Sequence, residues 1–469
     1  MWSILTACQT PPAKPHHDPD TTSDPVITSV TDPPTTEPST EVPPTGDTGP
    51  VGPQSVLQFD GPPPKNLLIV SLDTTRRDFI GRFSGTDHTP NLDEVLQTAV
   101  VLENHRSCSS WTAPSMTCVT TGLTPYELDW WPWTSDPYVQ TYDDDLPTLA
   151  GQLQFQQGFR TTLVSANDVF GPGLNFTRGF DTYTSVSWQP AADVADAAVD
   201  EARALVEGGS SPYYLHVHFI DPHADYCPPP EYIDAEDFVD QGIDLCDSFY
   251  DYAWGGFWYE SYDWQQTFIQ DSREVYEAEL TYWDHEFGQM WERLDQLGAL
   301  DDTLVVFVTD HGEQFFERGG WGHGNTLAAE ENRSTAAFWA KNLVPQAWTG
   351  NTVHQDIAAT LQDFFQVEPP IPSSGVVVGL APDDRYLRGM LYWGQGAARL
   401  SIVQFDKELT YDFWGERHLY DLALDPTGLT DSYDPTDPDV IAMWGPMQVF
   451  VDEVVAKWPS AGAPYAPGP

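Results

Sequence analysis

"NLLIVSLDTTRRD", residues 66–78, is an almost unbroken apolar run that stops at an aspartate. A run of this length, rich in branched side chains, is the pattern of a strand buried on both faces of a parallel sheet. Three more runs read the same way: "RTTLVSA" from Arg160, "YYLHVHFI" from Tyr213 and "TLVVFVT" from Thr303. Helical patterns lie between them. "TPNLDEVLQTA" opens with Thr89 as cap and Pro90 at the first helical position. Tyr276, Leu280, Trp283, Phe287, Met290, Leu294 and Leu297 recur at steps of four and three, and Gly298 follows as a stop, which predicts a helix covering the sheet from Tyr276 to Leu297. The alternation predicts an α/β fold built on a mainly parallel sheet.

Three of the strands end in ionisable residues: Asp73 after the first, Asp221 and His223 after the third, Asp310 and His311 after the fourth. In open α/β sheets the ligand crevice lies beyond the carboxyl ends of the strands, so these groups are candidates to converge. A single aspartate at a strand end is ordinarily a turn former or a helix cap. Three such endings together point to a site. "SSWTAPSMTCVTTG", residues 109–122, adds a hydroxyl: Pro114 suits a first helical turn and Gly122 a C-cap, which predicts about two turns of helix from near Ala113. Thr112 then either caps free N–H groups or presents its oxygen to an anion held at the helix mouth.

Composition limits the partners. With 71 acidic and 20 basic side chains in 469 residues, the formal net charge is −51, which repels nucleic acid and anionic lipid and attracts divalent cations. The length suits one large domain with a smaller appendage, or two domains. Residues 9–64 are rich in Pro, Thr, Asp and Ser and read as a disordered linker. Ahead of it, Leu5-Thr6-Ala7-Cys8 resembles a bacterial lipobox, after an apolar stretch shorter than an ordinary signal; residues 1–8 then read as a lipoprotein signal, with chance as the other reading. That implies an extracytoplasmic bacterial lipoprotein, at the periplasm or cell surface, touching membrane only through its lipid. No later run of about 18 apolar residues is present. Cys108 and Cys118 flank Thr112, while Cys227 and Cys246 bracket an aromatic, acidic insertion over 226–270; two local disulfides and four buried thiols are both open.

Taken in order, "NLLIVSLDTTRRD", "TPNLD", "SSWTAPSMTCVTTGL", "HFIDPHADYCPPPEY", "YEAELTYWD", "LVVFVTDHGEQF", "GHGN" and "HLYDLALDPTG" resemble a sulfatase-type member of the alkaline phosphatase superfamily. The resemblance implies an alkaline-phosphatase-like sheet flanked by helices over 65–375, a small antiparallel subdomain over 376–469, and metal-assisted hydrolysis or transfer on sulfate or phosphate esters of a small molecule or glycan. Asp73, Asp310 and His311 match metal ligands, Thr112 the nucleophile position of a Cys-x-Pro-Ser-Arg signature, and His223 and His323 residues that contact the anion. Asp284 matches a structural position.

Three departures matter. Thr112 stands where sulfatases carry a cysteine or serine oxidised to formylglycine, and a threonine cannot give that aldehyde. Met116 replaces the signature arginine, and Thr74 the second aspartate of an Asp-Asp pair. Relatives with a threonine nucleophile include phosphoethanolamine transferases, lipoteichoic acid synthases and nucleotide phosphodiesterases; in the first two, a carboxylate, the threonine and an adjacent Asp-His pair bind one metal. Thr112 then doubles as a metal ligand. The mixed oxygen and nitrogen set favours Zn²⁺ or Mn²⁺ over Ca²⁺ or Mg²⁺. Arg76, Arg77 and Arg106 either meet substrate anions, Arg76 foremost, or form salt bridges. The insertion reads equally as a substrate-stacking rim or as an aromatic minicore. Three functions follow: a phosphate-favouring ester hydrolase, a transferase of phosphoryl headgroups to envelope glycans or lipids, and an inactive glycan-binding domain.

Overall fold

The structure is a computed structural model that describes residues 55–129, 146–209, 212–233, 246, 249, 253, 256–380, 382, 384–393, 396–413 and 415–457. The expected signal, most of the linker and much of the insertion's centre lie outside these residues. All four apolar runs form strands: β1 (Asn66–Leu72), β3 (Arg160–Ser165), β5 (Tyr213–Phe219) and β6 (Thr303–Thr309), joined in the main sheet by β2 (Val100–Arg106), β4 (Thr182–Ser185), β9 (Ala336–Trp339) and β10 (Gln346–Val353). Their order is β10-β2-β9-β6-β1-β5-β3-β4, and β7 (Gln314–Phe315) and β8 (Trp321–Gly322) pair with each other apart from the main sheet. Within this sheet β9 runs antiparallel to β2 and β6, and the other pairings are parallel.

Side chains alternate across a strand, so each strand feeds two cores. Leu68, Val70 and Leu72 of β1 pack with Leu92 of α1 (Pro90–Gln97), Val194 and Ala198 of α4 (Ala191–Glu207), and Trp283 and Phe287 of α5 (Tyr262–Gln296). Leu67 and Ile69 face the other way, onto Met116 of α2 (Thr112–Thr121), Leu153 of α3 (Leu149–Gln157) and Ile357 of α6 (His354–Phe364). A separate antiparallel sheet, β11 (Leu387–Trp393) to β14 (Arg417–Asp421) in sequence order, packs on α7 (Pro438–Lys457) through Ile402, Leu409, Met443 and Met447. The fold is thus the expected mainly parallel α/β sheet with a small C-terminal antiparallel unit.

Several boundaries differ from expectation. The helix of Thr112 has 10 residues, and Gly122 closes it at φ 76° as expected. α5 begins at Tyr262 instead of Tyr276, because the Ser261 hydroxyl accepts from the Trp264 N–H and Phe268 and Val275 extend the buried face; the end of the insertion is therefore helical. Residues 55–64, assigned above to the linker, are tied to the domain by buried Val56 and Leu57 and by a bridge from Phe59 to Leu343. Of the two readings of the cysteines, the disulfides are formed: Cys108–Cys118 and Cys227–Cys246. Among the described residues of the insertion, Phe249 and Phe257 are buried and pack on Tyr226, Phe268 and Trp321, as a minicore does, while Trp258, Tyr259 and Tyr262 are exposed at its edge.

Thr89 occupies the N-cap of α1 but does not cap it; its hydroxyl accepts from the Gly81 N–H. Asp284 of α5 does so from outside, accepting from the Asn91 and Leu92 N–H groups and the Asn91 amide at 2.8–2.9 Å. Burial, only partly offset by these bonds, lifts its carboxyl to about 6. Asp284→Ala would strand buried donors, and is expected to cost about 2–3 kcal/mol in urea unfolding while leaving kcat unchanged.

Candidate active site

β1, β3, β5 and β6 deliver their carboxyl ends to one place, and α2 points its N-terminus there. The Asp73 N–H donates to Phe219 O and the Asp310 N–H to Leu72 O, continuing the sheet for one residue and fixing both carboxylates. Asp310 Oδ1 accepts from the Thr74 N–H at 3.1 Å and the His311 N–H at 2.6 Å. Its Oδ2 is buried and accepts no hydrogen bond from the described residues. Thr112, buried at the first position of α2, sets Oγ1 3.3 Å from Asp73 Oδ2 and 3.4 Å from His311 Nε2. The His311 Nδ1 proton goes to the Gly312 carbonyl at 2.9 Å, so Nε2 turns a lone pair on the Thr112 hydroxyl and both carboxylates.

This cluster fits a divalent cation. Two fully buried carboxylates share a pocket, and among the described residues neither has an ion pair with lysine or arginine. Burial and then the charge of Asp73 push Asp310 well above its usual range. Burial raises Asp73 too, but the His218 hydrogen bond and the charges of His223 and His311 outweigh it and hold that carboxyl low. Like charges this close cannot both ionise without a cation. The bare Asp310 Oδ2, the Asp73 carboxylate, His311 Nε2 and the Thr112 hydroxyl are of the donor types that suit such an ion.

The two expected anion-contacting histidines flank the cluster: the His323 ring lies 4.6 Å from His311 and 5.1 Å from His223. Their environments differ. Burial works against the charge on His323, but the Glu313 carboxylate, 3.1 Å from its Nδ1, more than compensates and holds the imidazole above its ordinary pKa. Burial lowers His223, and the attraction of Asp73 does not restore it. Glu313 is itself fixed by the Tyr226 hydroxyl at 2.7 Å.

Arg76, expected either to meet substrate anions or to form salt bridges, has its donors engaged within the protein. Its guanidinium donates to Asp78 at 2.7 and 3.0 Å, to Glu317 at 2.5 Å and to the Glu313 carbonyl, and lies between Phe79 and Phe315. Arg77 and Arg106 likewise pair with Glu103 and Glu408. Asp221 is buried and lies outside the compact set of Asp73, His218 and Asp310. Thr74, in place of a second aspartate, adopts φ 46°, costly for a β-branched residue, held by its N–H bond to Asp310 and by the Tyr276 hydroxyl on its carbonyl.

Sequence reasoning missed three groups. His218 Nε2 lies 3.4 Å from Asp73 Oδ2 and, with Asp73 and Asp310, completes a compact buried set. Asn167, beyond β3, donates to the same oxygen at 2.5 Å. Glu313 orients His323. The signal for His218 was its place two residues after His216 in a strand leading to His223.

Comparison with known proteins accords with this geometry. The chain is 23% identical over 247 residues to an arylsulfatase of Clostridium perfringens, covering 47% of this chain and 49% of the relative. It spans about half the length of the curated relatives it matches. Among solved structures, it is similar to a protein bound to its substrate D-glucosamine-2-N,6-O-disulfate, with a TM-score of 0.64, 16% identity and 85% and 98% of the two chains covered. A phosphonate monoester hydrolase from Silicibacter pomeroyi gives 0.62 and 18%, over 84% and 96%. The family model described as Sulfatase matches residues 65–367, a span that holds Asp73, Thr112, His223, Asp310, His311 and His323 alike, and the chain belongs to the sulfatase family.

Proposed function

We propose that this protein is a metal-dependent ester hydrolase that uses Thr112 as nucleophile and prefers phosphate to sulfate esters. The observation that carries the reading is the Thr112 hydroxyl, buried at the mouth of α2 within 3.5 Å of both Asp73 oxygens and of His311 Nε2. Asp73, Thr112, Asp310 and His311 would hold a divalent cation, zinc or manganese by their donor types, which supplies Lewis acidity to the nucleophile and to the transferring group.

The chain's own residues do the rest. The free N–H groups of α2 face the incoming anion. The Thr112 hydroxyl gives its proton to solvent, from which the proton returns when the threonine oxygen is later released, and the oxygen attacks phosphorus; the bond to the leaving alcohol breaks, and His323, whose proton the Glu313 carboxylate favours, supplies the proton that alcohol needs. His323 then serves as base for the water that cleaves the phosphothreonine and regenerates the hydroxyl. His223 donates its Nδ1 proton to the Ala224 carbonyl; an arriving dianion favours its imidazolium, whose Nε2–H then binds a phosphoryl oxygen. The exposed Trp258, Tyr259 and Tyr262 offer a stacking rim for an aryl or sugar leaving group.

Phosphate is favoured because formylglycine sulfatases expel sulfate by collapse of a hemiacetal, and a threonyl ester has no such route. Release requires attack of water on the central atom, which suits a phosphothreonine. The names of similar proteins include both a sulfate-ester and a phosphorus-ester hydrolase, an arylsulfatase and a phosphonate monoester hydrolase. The two disulfides accord with an oxidising, extracytoplasmic setting, with Cys8 as the proposed anchor. Matched aryl phosphate and aryl sulfate esters, assayed on the metal-loaded protein, test the preference: kcat/KM is expected to be higher for the phosphate, with transient phosphate on Thr112 by mass spectrometry. A clear sulfate preference overturns it.

A further inference from the structure

Behind Asp73, on the face of the sheet that carries α2, lies a line of buried polar side chains that the mechanism does not use. Tyr214, His216 and His218 alternate along β5 and so share that face, and Ser71 of β1 stands opposite His218 in the register. All are essentially without solvent exposure, and Phe170 covers both histidine rings at 5.0 and 5.1 Å. The contacts form one chain: Tyr214 Oη to His216 Nδ1 at 2.9 Å, His216 Nε2 to Ser71 Oγ at 2.9 Å, Ser71 Oγ to His218 Nδ1 at 2.8 Å, and His218 Nε2 to Asp73 Oδ2 at 3.4 Å.

The chain has a direction. Among the described residues, His216 is the hydrogen-bond partner of the Tyr214 hydroxyl, so that hydroxyl donates or its buried proton is stranded. His216 Nδ1 then accepts and its Nε2–H donates to Ser71. Ser71, with its oxygen so engaged, donates to His218 Nδ1 in preference to the Val217 carbonyl at 3.5 Å. His218 is left with its proton on Nε2, aimed at Asp73. Asn167 donates to the same oxygen at 2.5 Å, its own Oδ1 fixed by the Val169 N–H at 2.7 Å. With both donors on Oδ2, Oδ1 is the oxygen left for a cation.

We propose that Tyr214, His216, Ser71 and His218 form a buried hydrogen-bond wire that, with Asn167, clamps Asp73 to present one oxygen to the cation, His218 being a positioning residue and not a ligand. The proposal rests on the metal-site reading above. It separates His218 from His311 although both rings approach Asp73: His311 gives its proton to a backbone carbonyl and turns a lone pair inward, whereas the wire leaves His218 a proton in that place.

The test combines zinc titration of the metal-stripped full chain with nitrogen-15 spectra of its histidine side chains. Tyr214→Phe and Ser71→Ala, which remove only hydroxyls remote from the ion, are expected to weaken zinc binding about tenfold, and His218→Leu more. His218→Gln, which keeps an N–H where Nε2 stood, should stay within about threefold of wild type. The signal lost in His218→Gln should show, in wild type, a protonated Nε2 and a bare Nδ1. Equal losses in His218→Gln and His218→Leu, unchanged affinity in both hydroxyl variants, or a bare Nε2 on His218 would each overturn the proposal. A wild type that takes up neither zinc nor manganese would refute the metal reading instead, and the wire then stands or falls on the histidine spectrum alone.

Discussion

Thr112→Ala is expected to lose about a thousandfold or more in kcat/KM on an aryl phosphate, the largest effect of any single substitution in this chain, because the nucleophile and one oxygen donor disappear together. The fold gives the residue little else to do. Thr112 is the first residue of α2, and Trp111 at the N-cap makes no side-chain cap bond, so the hydroxyl is not spent on helix capping. Among the described residues its hydroxyl bonds to Asp73 and His311, beside Asp310. Thermal stability of the alanine variant should therefore stay near wild type, which separates lost chemistry from lost fold. Thr112→Ser keeps the oxygen and removes only the methyl that restricts its rotamer, so part of the activity should remain. An alanine variant as active as wild type would show that water or another group attacks and would remove the threonine from the mechanism.

How much of this could be read beforehand depends on where the chemistry sits relative to the strands. Asp73, Asp310 and His311 terminate apolar runs whose length and composition announce buried parallel strands, and a polar residue at such an end stands out. Thr112 was legible because a Pro-Ser turn and a helix pattern follow it at fixed spacing. His218 and Asn167 were not. A histidine inside a buried strand looks like a core residue, and nothing local shows that Ser71, 147 positions away, and Asp73 make it part of the site. The partners of Arg76 were hidden for the same reason. The arginine adjoins a motif, but Glu317 and the carbonyl of Glu313, more than 200 positions on, are what use its donors. Asp284 was legible as structural through family resemblance, whereas the helix it caps shows only in three dimensions, and Thr89 misled because a threonine before Pro-Asn fits a local cap. Pairings within one element follow from periodicity; those between distant elements require the fold.

The second large effect concerns the carboxylates. Asp73→Ala and Asp310→Ala should each lose most bound metal and activity, but Asp310→Asn is the more informative variant. Its amide oxygen can still accept from the Thr74 and His311 N–H groups that Asp310 Oδ1 now serves, so the loop is kept while the charge is removed. In wild type without metal, burial and the neighbouring Asp73 raise the Asp310 pKa. A carboxyl held above its unfolded value of about 3.9 binds its proton more tightly when folded, so its contribution to stability is present at low pH and is lost as pH rises from that value through the folded one. Asp310→Asn has no such proton to lose, and the metal-free variant should exceed metal-free wild type in stability at neutral pH. Adding zinc or manganese should reverse the ranking. At a metal concentration of about 100 Kd, wild type gains about 2.7 kcal/mol by mass action and the asparagine variant, with its affinity reduced, far less. Urea melts of both proteins at pH 5 and pH 7.5, with and without metal, read all of these terms. If both proteins keep full metal content and the same melts under every condition, Asp310 is not a ligand and the cation does not sit between it and Asp73.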